Sequence, residues 1–144
     1  MTARFQNLPF KVATLDGRTF VLLADVYFLS ADGTRYLLPL GATSDGASTP
    51  REGWPLLPPF GRYWPAAYLH DCAYRNTLCV LNNRVQSWLP ASLPREKCDA
   101  LFKEAMQSLG VNNLEMETIY EAVALAGESS FAADRSAGPE KFMA

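Results

Sequence analysis

Glycine and proline are concentrated in the middle of the chain, between residues 41 and 63, and this concentration separates two unlike halves. Neither residue type favours the interior of a helix or of a central strand, so the stretch predicts a long, shaped loop. Loops of this length inside compact domains are usually functional. The residues concerned are Gly41, Gly46, Pro50, Gly53, Pro55, Pro58, Pro59 and Gly61.

The half before this loop predicts antiparallel β-structure. Apolar, aromatic and β-branched residues form runs over 11–15, 18–29 and 34–40. The pairs Asp16-Gly17 and Asp32-Gly33, which separate the runs, are typical hairpin turns. We therefore expect three strands joined as a meander.

The half after the loop predicts three helices. The first covers about 64–78, with Pro65 in its first turn, and the second covers about 93–110 and stops at Gly110. Asn112 followed by Glu115 resembles a capping box that opens a third helix, which we expect to end near Gly127. Together these elements predict one α+β domain over 1–127, in which an antiparallel helix pair carries the site. Residues 128–144 are expected to form a flexible tail or a partner-binding arm.

Composition excludes several classes of protein. A net charge of −2 without a Lys/Arg stripe argues against nucleic-acid binding, and no apolar run reaches the roughly 20 residues of a membrane span. Residues 1–9 lack the pattern of a signal peptide, so we expect a cytoplasmic protein unless a larger particle carries it out. The three cysteines have no framework spacing, which argues against a disulfide scaffold and favours small core residues. One histidine gives little support to a structural zinc site.

Two features suggest a polar site. Asp45-Gly46, inside the long loop, is either an ordinary turn or a place where a carboxylate and backbone carbonyls bind a hard cation such as calcium. His70-Asp71 lies in the middle of the first predicted helix among small and apolar residues. A lone helical histidine is often structural, but a buried His-Asp pair is costly unless partners satisfy it.

Two further residues complete the candidate site. Tyr74 lies four residues after His70 and therefore on the same helix face, where it is either a core aromatic or an anchor of a polar network. Asp99 heads an otherwise apolar stripe of the second helix and could orient the imidazole of His70. The alternative is that Asp99 occupies the polar first turns of its helix, which favour negative charge.

These residues carry two resemblances. The segment 44–50, the motif His70-Asp71-x-x-Tyr74 and the motif Asp99-x-x-Phe102 resemble a family of uncharacterised bacteriophage and prophage proteins over about 8–127. More distantly, Asp45-Gly46 and the heptapeptide 70–76 are similar to secreted bacterial phospholipase A2. That family has a loop with Asp-Gly-Cys-Ser, a helix with His-Asp-x-x-Tyr-Arg-Asn, and an Asp on a second helix.

The second resemblance implies roles for individual residues. His70 would activate a water and Asp99 would orient His70, with Tyr74 beside them. Asp45, Asp71 and Gly46 would bind calcium. The disulfide-bonded cysteines of the phospholipases are replaced by Ala47 and Ala67, as expected for a protein of a reducing compartment.

Three functions are therefore expected. The leading one is a phage-encoded, calcium-dependent ester hydrolase that acts on phospholipid or another host envelope component. Its apolar mouth would contain Trp54, Leu57, Phe60 and Trp64. The second is a virion component, of the tail, which contacts other virion proteins and uses the Asp/His cluster only for structure. The third is a cell-wall hydrolase with zinc on His70 and a carboxylate, for which a single histidine is a poor basis.

Overall fold

Short antiparallel strands form two sheets in the computed structural model, which describes residues 2–45 and 62–144. The strands are β1 (Arg4–Gln6), β2 (Val12–Thr14), β3 (Phe20–Leu22), β4 (Val26–Leu29), β5 (Arg35–Leu38), β6 (Thr43–Ser44), β7 (Cys79–Asn82) and β8 (Ser87–Pro90). One sheet has the order β1-β4-β5-β7-β8, and the other has the order β2-β3-β6. The predicted α+β class, with an N-terminal antiparallel region, is confirmed.

The two predicted hairpin turns have clear local causes. Gly17 and Gly33 have φ angles of 74° and 90°, which a residue with a Cβ rarely adopts. The preceding aspartates hold each turn, since Asp16 Oδ1 accepts hydrogen bonds from the amides of Arg18 and Thr19, and Asp32 Oδ1 accepts one from Thr34. The turns therefore join β2 to β3 and β4 to β5 in antiparallel register.

The strands are not connected as one continuous meander, however. The run predicted over 18–29 is interrupted at 23–25, so that β3 and β4 belong to different sheets. The hairpin of β7 and β8 lies between the first two predicted helices, where no strand was predicted. Its turn is fixed by Asn82, whose side chain accepts a hydrogen bond from the amide of Arg84, and β7 then pairs with β5.

Three α-helices follow the long loop: α1 (Trp64–Arg75), α2 (Arg95–Ser108) and α3 (Asn113–Ala137). Helix α1 has Pro65 in its first turn and ends three residues earlier than predicted, because Asn76 adopts the left-handed conformation at φ 60°. Asn112 caps α3 as predicted, since its side chain accepts hydrogen bonds from the amides of Leu114 and Glu115. No helix in the described part of the chain is long and apolar enough to cross a membrane.

Helices α1 and α2 lie antiparallel. Tyr74, near the end of α1, contacts Asp99 near the start of α2, whereas Gly110, just after α2, lies beside Arg62, just before α1. Every residue of α1 from Ala66 onward is buried. The apolar side chains of α1 belong to one hydrophobic core, together with side chains from the strands and the other helices. The largest fully buried residues of this core include Leu22, Phe28, Leu38, Tyr63, Tyr68, Leu69, Leu78, Phe102, Met106 and Ile119.

The C-terminal prediction requires correction. Helix α3 continues ten residues past Gly127, and a 3-10 helix, Pro139–Phe142, follows it. Residues 128–144 contact the same chain: Thr43 donates a hydrogen bond to the carbonyl of Phe142, and the amide of Ala144 donates one to Gly41. The sequence of this segment is small and polar, and its contacts come from distant parts of the chain, so local pattern could not reveal them.

Arg135 attaches this C-terminal segment to the end of α1. Its guanidinium donates hydrogen bonds to the carbonyls of Ala73 and Tyr74, and to the carbonyl of Leu93. A cation at a helix C-terminus satisfies carbonyls that have no partner within the helix and interacts favourably with the helix dipole.

We expect Arg135→Ala to lower the free energy of unfolding by about 2 kcal/mol, because it leaves carbonyls at the end of α1 without their charged donor. Urea denaturation measures the change. Arg84→Ala is the matched control, since Arg84 is exposed on the β7–β8 turn and should cost less than about 0.5 kcal/mol. Equal effects of the two substitutions would contradict the role given to Arg135.

Candidate active site

Helix α1 presents two pairs of polar residues at a spacing of four. His70 and Tyr74 lie on one face, with ring centroids 4.1 Å apart, and Asp71 and Arg75 lie on the adjacent face. All four residues are buried, and His70 is only 3% exposed. Burial of these groups is unfavourable unless they are hydrogen-bonded, so their partners decide whether the arrangement is stable.

The first pair converges on Asp99. The Nε2 atom of His70 lies 2.8 Å from Asp99 Oδ1, and the Tyr74 hydroxyl donates to the same oxygen at 2.7 Å. Phe102, one turn further along α2, lies against the imidazole with its ring centroid 4.7 Å away. The predicted hydrogen bond between His70 and Asp99 is therefore confirmed, and it links α1 to α2.

Asp99 is held in its ionised form. Burial raises the pKa of Asp99, but hydrogen bonds from His70 and Tyr74, together with the charges of His70 and Arg95, outweigh it and leave the pKa below its ordinary value. An ionised carboxylate only accepts hydrogen bonds, so Nε2 of His70 carries a proton. When the imidazole is neutral, its other ring nitrogen, Nδ1, then has a lone pair.

The second pair binds the end of β6 and the residue after it. Asp71 Oδ2 accepts hydrogen bonds from the Ser44 hydroxyl at 2.7 Å and from the amide of Asp45 at 3.2 Å. The guanidinium of Arg75 reaches Asp45 Oδ2 at 2.7 Å and the carbonyl of Thr43 at 2.9 Å. Burial raises the pKa of Asp45, and Asp71 adds to this effect while Arg75 opposes it.

Among the described residues, the carboxylates that the resemblance assigns to calcium already have partners. Arg75 is paired with Asp45, and Asp71 accepts hydrogen bonds from Ser44 and from the amide of Asp45. These oxygens would have to change partners to join the six to eight oxygen ligands of calcium. Among residues 2–45 and 62–144, no group of three His, Cys, Asp or Glu side chains is placed to hold a metal ion. Gly46, the third predicted ligand, lies outside the described residues.

The two pairs of polar residues share a cavity of about 430 Å³. Its lining comes from α1, from Asp45 and from the part of α3 between Val123 and Asp134. The residues that line it are Asp45, His70, Asp71, Tyr74, Arg75, Val123, Gly127, Ser129, Ser130, Ala133 and Asp134. Asp99 lies behind His70 and Tyr74, so the cavity has the imidazole in its wall and the orienting carboxylate behind it.

Of the four residues predicted to form an apolar mouth, three lie outside the described residues and the fourth, Trp64, does not line the cavity. Trp54, Leu57 and Phe60 belong to residues 46–61. Trp64 is half-buried and packs against Phe10, Phe20 and Tyr68 rather than in the cavity wall. Its position, six residues before His70, places it on a different face of α1.

Sequence reasoning missed several residues of this site. Arg75 could have been found, because it follows Asp71 by four residues in a helix that was expected to be buried. Ser129, Ser130 and Asp134 could not, because they lie in the segment that was predicted to be a tail. Gly127 was interpreted only as a helix end, yet a Cβ at this position would lie 2.5 Å from the Tyr74 hydroxyl.

The fold and this site define a small α+β protein with a buried His–Asp pair in a polar cavity. Residues 20–123 match a family described as a protein of unknown function, DUF1353, and the match covers most of the chain. The protein therefore belongs to this family. Comparison with curated proteins and with solved structures gave no match for this chain.

The low pKa of Asp99 predicts how the site contributes to stability at different pH values. A carboxyl group whose pKa is lower in the folded state stabilises the fold above its unfolded-state pKa of about 3.9, and this contribution is lost as the pH falls through the folded-state pKa. Asp99→Asn should therefore reduce the free energy of unfolding at pH 7, and the difference from wild type should shrink in acid. Urea denaturation over a pH series measures it. A difference that does not depend on pH would show that Asp99 is not held ionised.

Proposed function

We propose that this protein hydrolyses carboxylic esters, with His70 as the general base that activates water. The single observation that carries the proposal is the position of His70, whose Nε2 is bound to Asp99 while its ring lines a polar cavity. This arrangement is what the resemblance to phospholipase A2 implies. From the same resemblance we propose that its substrate is a phospholipid or another ester of the host envelope. From the resemblance to bacteriophage and prophage proteins we propose that the enzyme is phage-encoded.

One water molecule and the side chains of this site supply the proton transfers of the proposed reaction. Nδ1 of His70 takes a proton from a water molecule within hydrogen-bond distance, roughly 2.6–3.2 Å, while the water oxygen bonds to the ester carbonyl carbon. The tetrahedral intermediate then expels the alkoxide, which receives the proton from Nδ1, so the products are a carboxylic acid and an alcohol. Asp99 stabilises the imidazolium that exists between the two transfers.

Tyr74 and Phe102 are positioning residues in this scheme. Tyr74 donates a second hydrogen bond to Asp99 Oδ1, which fixes the carboxylate in the orientation that faces Nε2. Phe102 and Tyr74 lie on the imidazole and restrict its rotation. Held in this way, the base loses little freedom when the substrate binds.

Ester hydrolysis by variants tests the proposal. With p-nitrophenyl butyrate as substrate, His70→Gln should lower kcat by about 10²–10⁴-fold, because Gln can still donate to Asp99 but cannot act as a base. Tyr74→Phe should have a smaller effect. Gln107→Ala, an exposed change on α2, is the control and should leave kcat unaltered.

If wild-type protein that is folded by circular dichroism releases no p-nitrophenol and cleaves no phospholipid vesicles, the hydrolase proposal fails. The virion-component alternative then takes its place. That alternative is favoured by one observation: the imidazole is almost fully buried and both Asp99 and Asp71 are bound by donors of the same chain. It predicts association with other virion proteins and a stabilising role for the same residues.

Calcium is a separate part of the proposal. The resemblance assigns it to Asp45, Asp71 and Gly46, and its binding would require Arg75 to leave Asp45. If calcium binds, a hundredfold excess over its dissociation constant should stabilise the fold by about 2.7 kcal/mol, and Asp71→Asn should abolish the effect. Thermal unfolding with and without calcium measures it. An unchanged melting temperature would remove calcium from the scheme without affecting the role of His70.

A further inference from the structure

Part of the cavity lining is built by a segment of α3 that lies beyond the family match. The match ends at Val123, whereas Ser129, Ser130 and Asp134 follow it and line the cavity. Their spacing of four to five residues places them within little more than one helical turn of one another. The proposed reaction uses none of them, so their chemistry is free to bind the substrate.

The charge of the cavity favours a cation. Three carboxylates, those of Asp45, Asp71 and Asp134, line it together with one cationic side chain, Arg75. The guanidinium is already bound to Asp45 and Thr43. The side chains of the lining therefore carry two net negative charges when these carboxylates are ionised, and an anionic group would be repelled.

Hydrogen-bonding capacity points in the same direction. His70 is only 3% exposed, and no hydrogen-bond partner of its Nδ1 occurs among the described residues. The carboxylate of Asp134 likewise has no hydrogen-bond or ion-pair partner among the described residues, although Asp134 is half-buried and its backbone carbonyl accepts a hydrogen bond from the amide of Gly138. Burial, followed by the charges of Asp71 and Asp45, raises the pKa of Asp134 despite the opposing effect of Arg75. Nδ1 of a neutral His70 and the carboxylate of Asp134 are both acceptors. Nε of Arg75 is a buried donor without a partner among the described residues.

We propose that the cavity recognises substrates that carry a protonated amine, which Asp134 binds in the cavity lined by His70. A primary ammonium group supplies both a positive charge and three hydrogen-bond donors, and the hydroxyl oxygens of Ser129 and Ser130 are additional acceptors beside the carboxylate. This inference rests on the proposed function only in naming the bound molecule a substrate. The amine site itself is independent of catalysis.

Binding of a minimal probe tests the amine site directly. Isothermal titration calorimetry should show that n-butylammonium binds the wild-type protein at least about tenfold more tightly than n-butanol, which has the same chain without the charge. Asp134→Asn should weaken butylammonium binding by about tenfold, because it keeps the shape of the side chain and removes its charge. Glu121→Gln is the matched control, since it removes one exposed carboxylate from the same helix and should change the affinity less than twofold.

The outcomes separate this inference from the hydrolase proposal. Butylammonium binding that depends on Asp134, in a protein that hydrolyses no ester, would support the amine site and overturn the enzyme. Ester hydrolysis by a protein that binds butylammonium no more tightly than butanol would support the enzyme and overturn the amine site. Equal loss of binding in Asp134→Asn and Glu121→Gln would show a general charge effect and would overturn the site. Calcium binding that depends on Asp134, with butylammonium binding unaffected by the substitution, would also overturn it.

Discussion

The carboxylate of Asp99 accepts hydrogen bonds from His70 and Tyr74 inside the core, and the rest of the site depends on this contact. It joins α1 to α2, it satisfies two polar side chains that would otherwise be costly to bury, and it fixes which nitrogen of the imidazole carries a proton. The same contact leaves Nδ1 as the ring atom available to the cavity. Structure and proposed chemistry therefore rest on one buried carboxylate.

The end of α1 is held from the other side by the C-terminal segment. Arg135 binds the last carbonyls of α1, and the ring of Phe142 lies under the guanidinium of Arg75 at 4.5 Å. Arg75 in turn reaches Asp45, so the segment supports the second polar pair as well as forming the cavity wall. Residues beyond the family match thus complete a site whose central residues lie within it. Differences in this segment between family members would be expected to alter what the cavity binds.

Much of the fold was predictable, because its signals are local. The Asp-Gly turns, Pro65 at the start of α1 and the Asn112 cap each act over a few residues, and each was confirmed. The contact of His70 with Asp99 was also predictable, since a buried imidazole needs a partner and helical spacing suggested one. The division into two sheets, the β7–β8 hairpin and the return of residues 128–144 were not, because they depend on pairing between distant segments. The loop that carries Gly46 and Trp54 lies outside the described residues, so its predicted roles remain predictions.

The state of the His70 imidazole tests the account most directly. The chain contains one histidine, so a nitrogen-15 spectrum of labelled protein has a single pair of imidazole signals to assign. We expect the neutral ring to carry its proton on Nε2, and the Nε2 signal to shift in Asp99→Asn, which removes the charge of its acceptor. Nδ1 should be unprotonated, and its signal should shift when a ligand enters the cavity. A neutral ring protonated on Nδ1, or signals that do not respond to Asp99→Asn, would contradict the account.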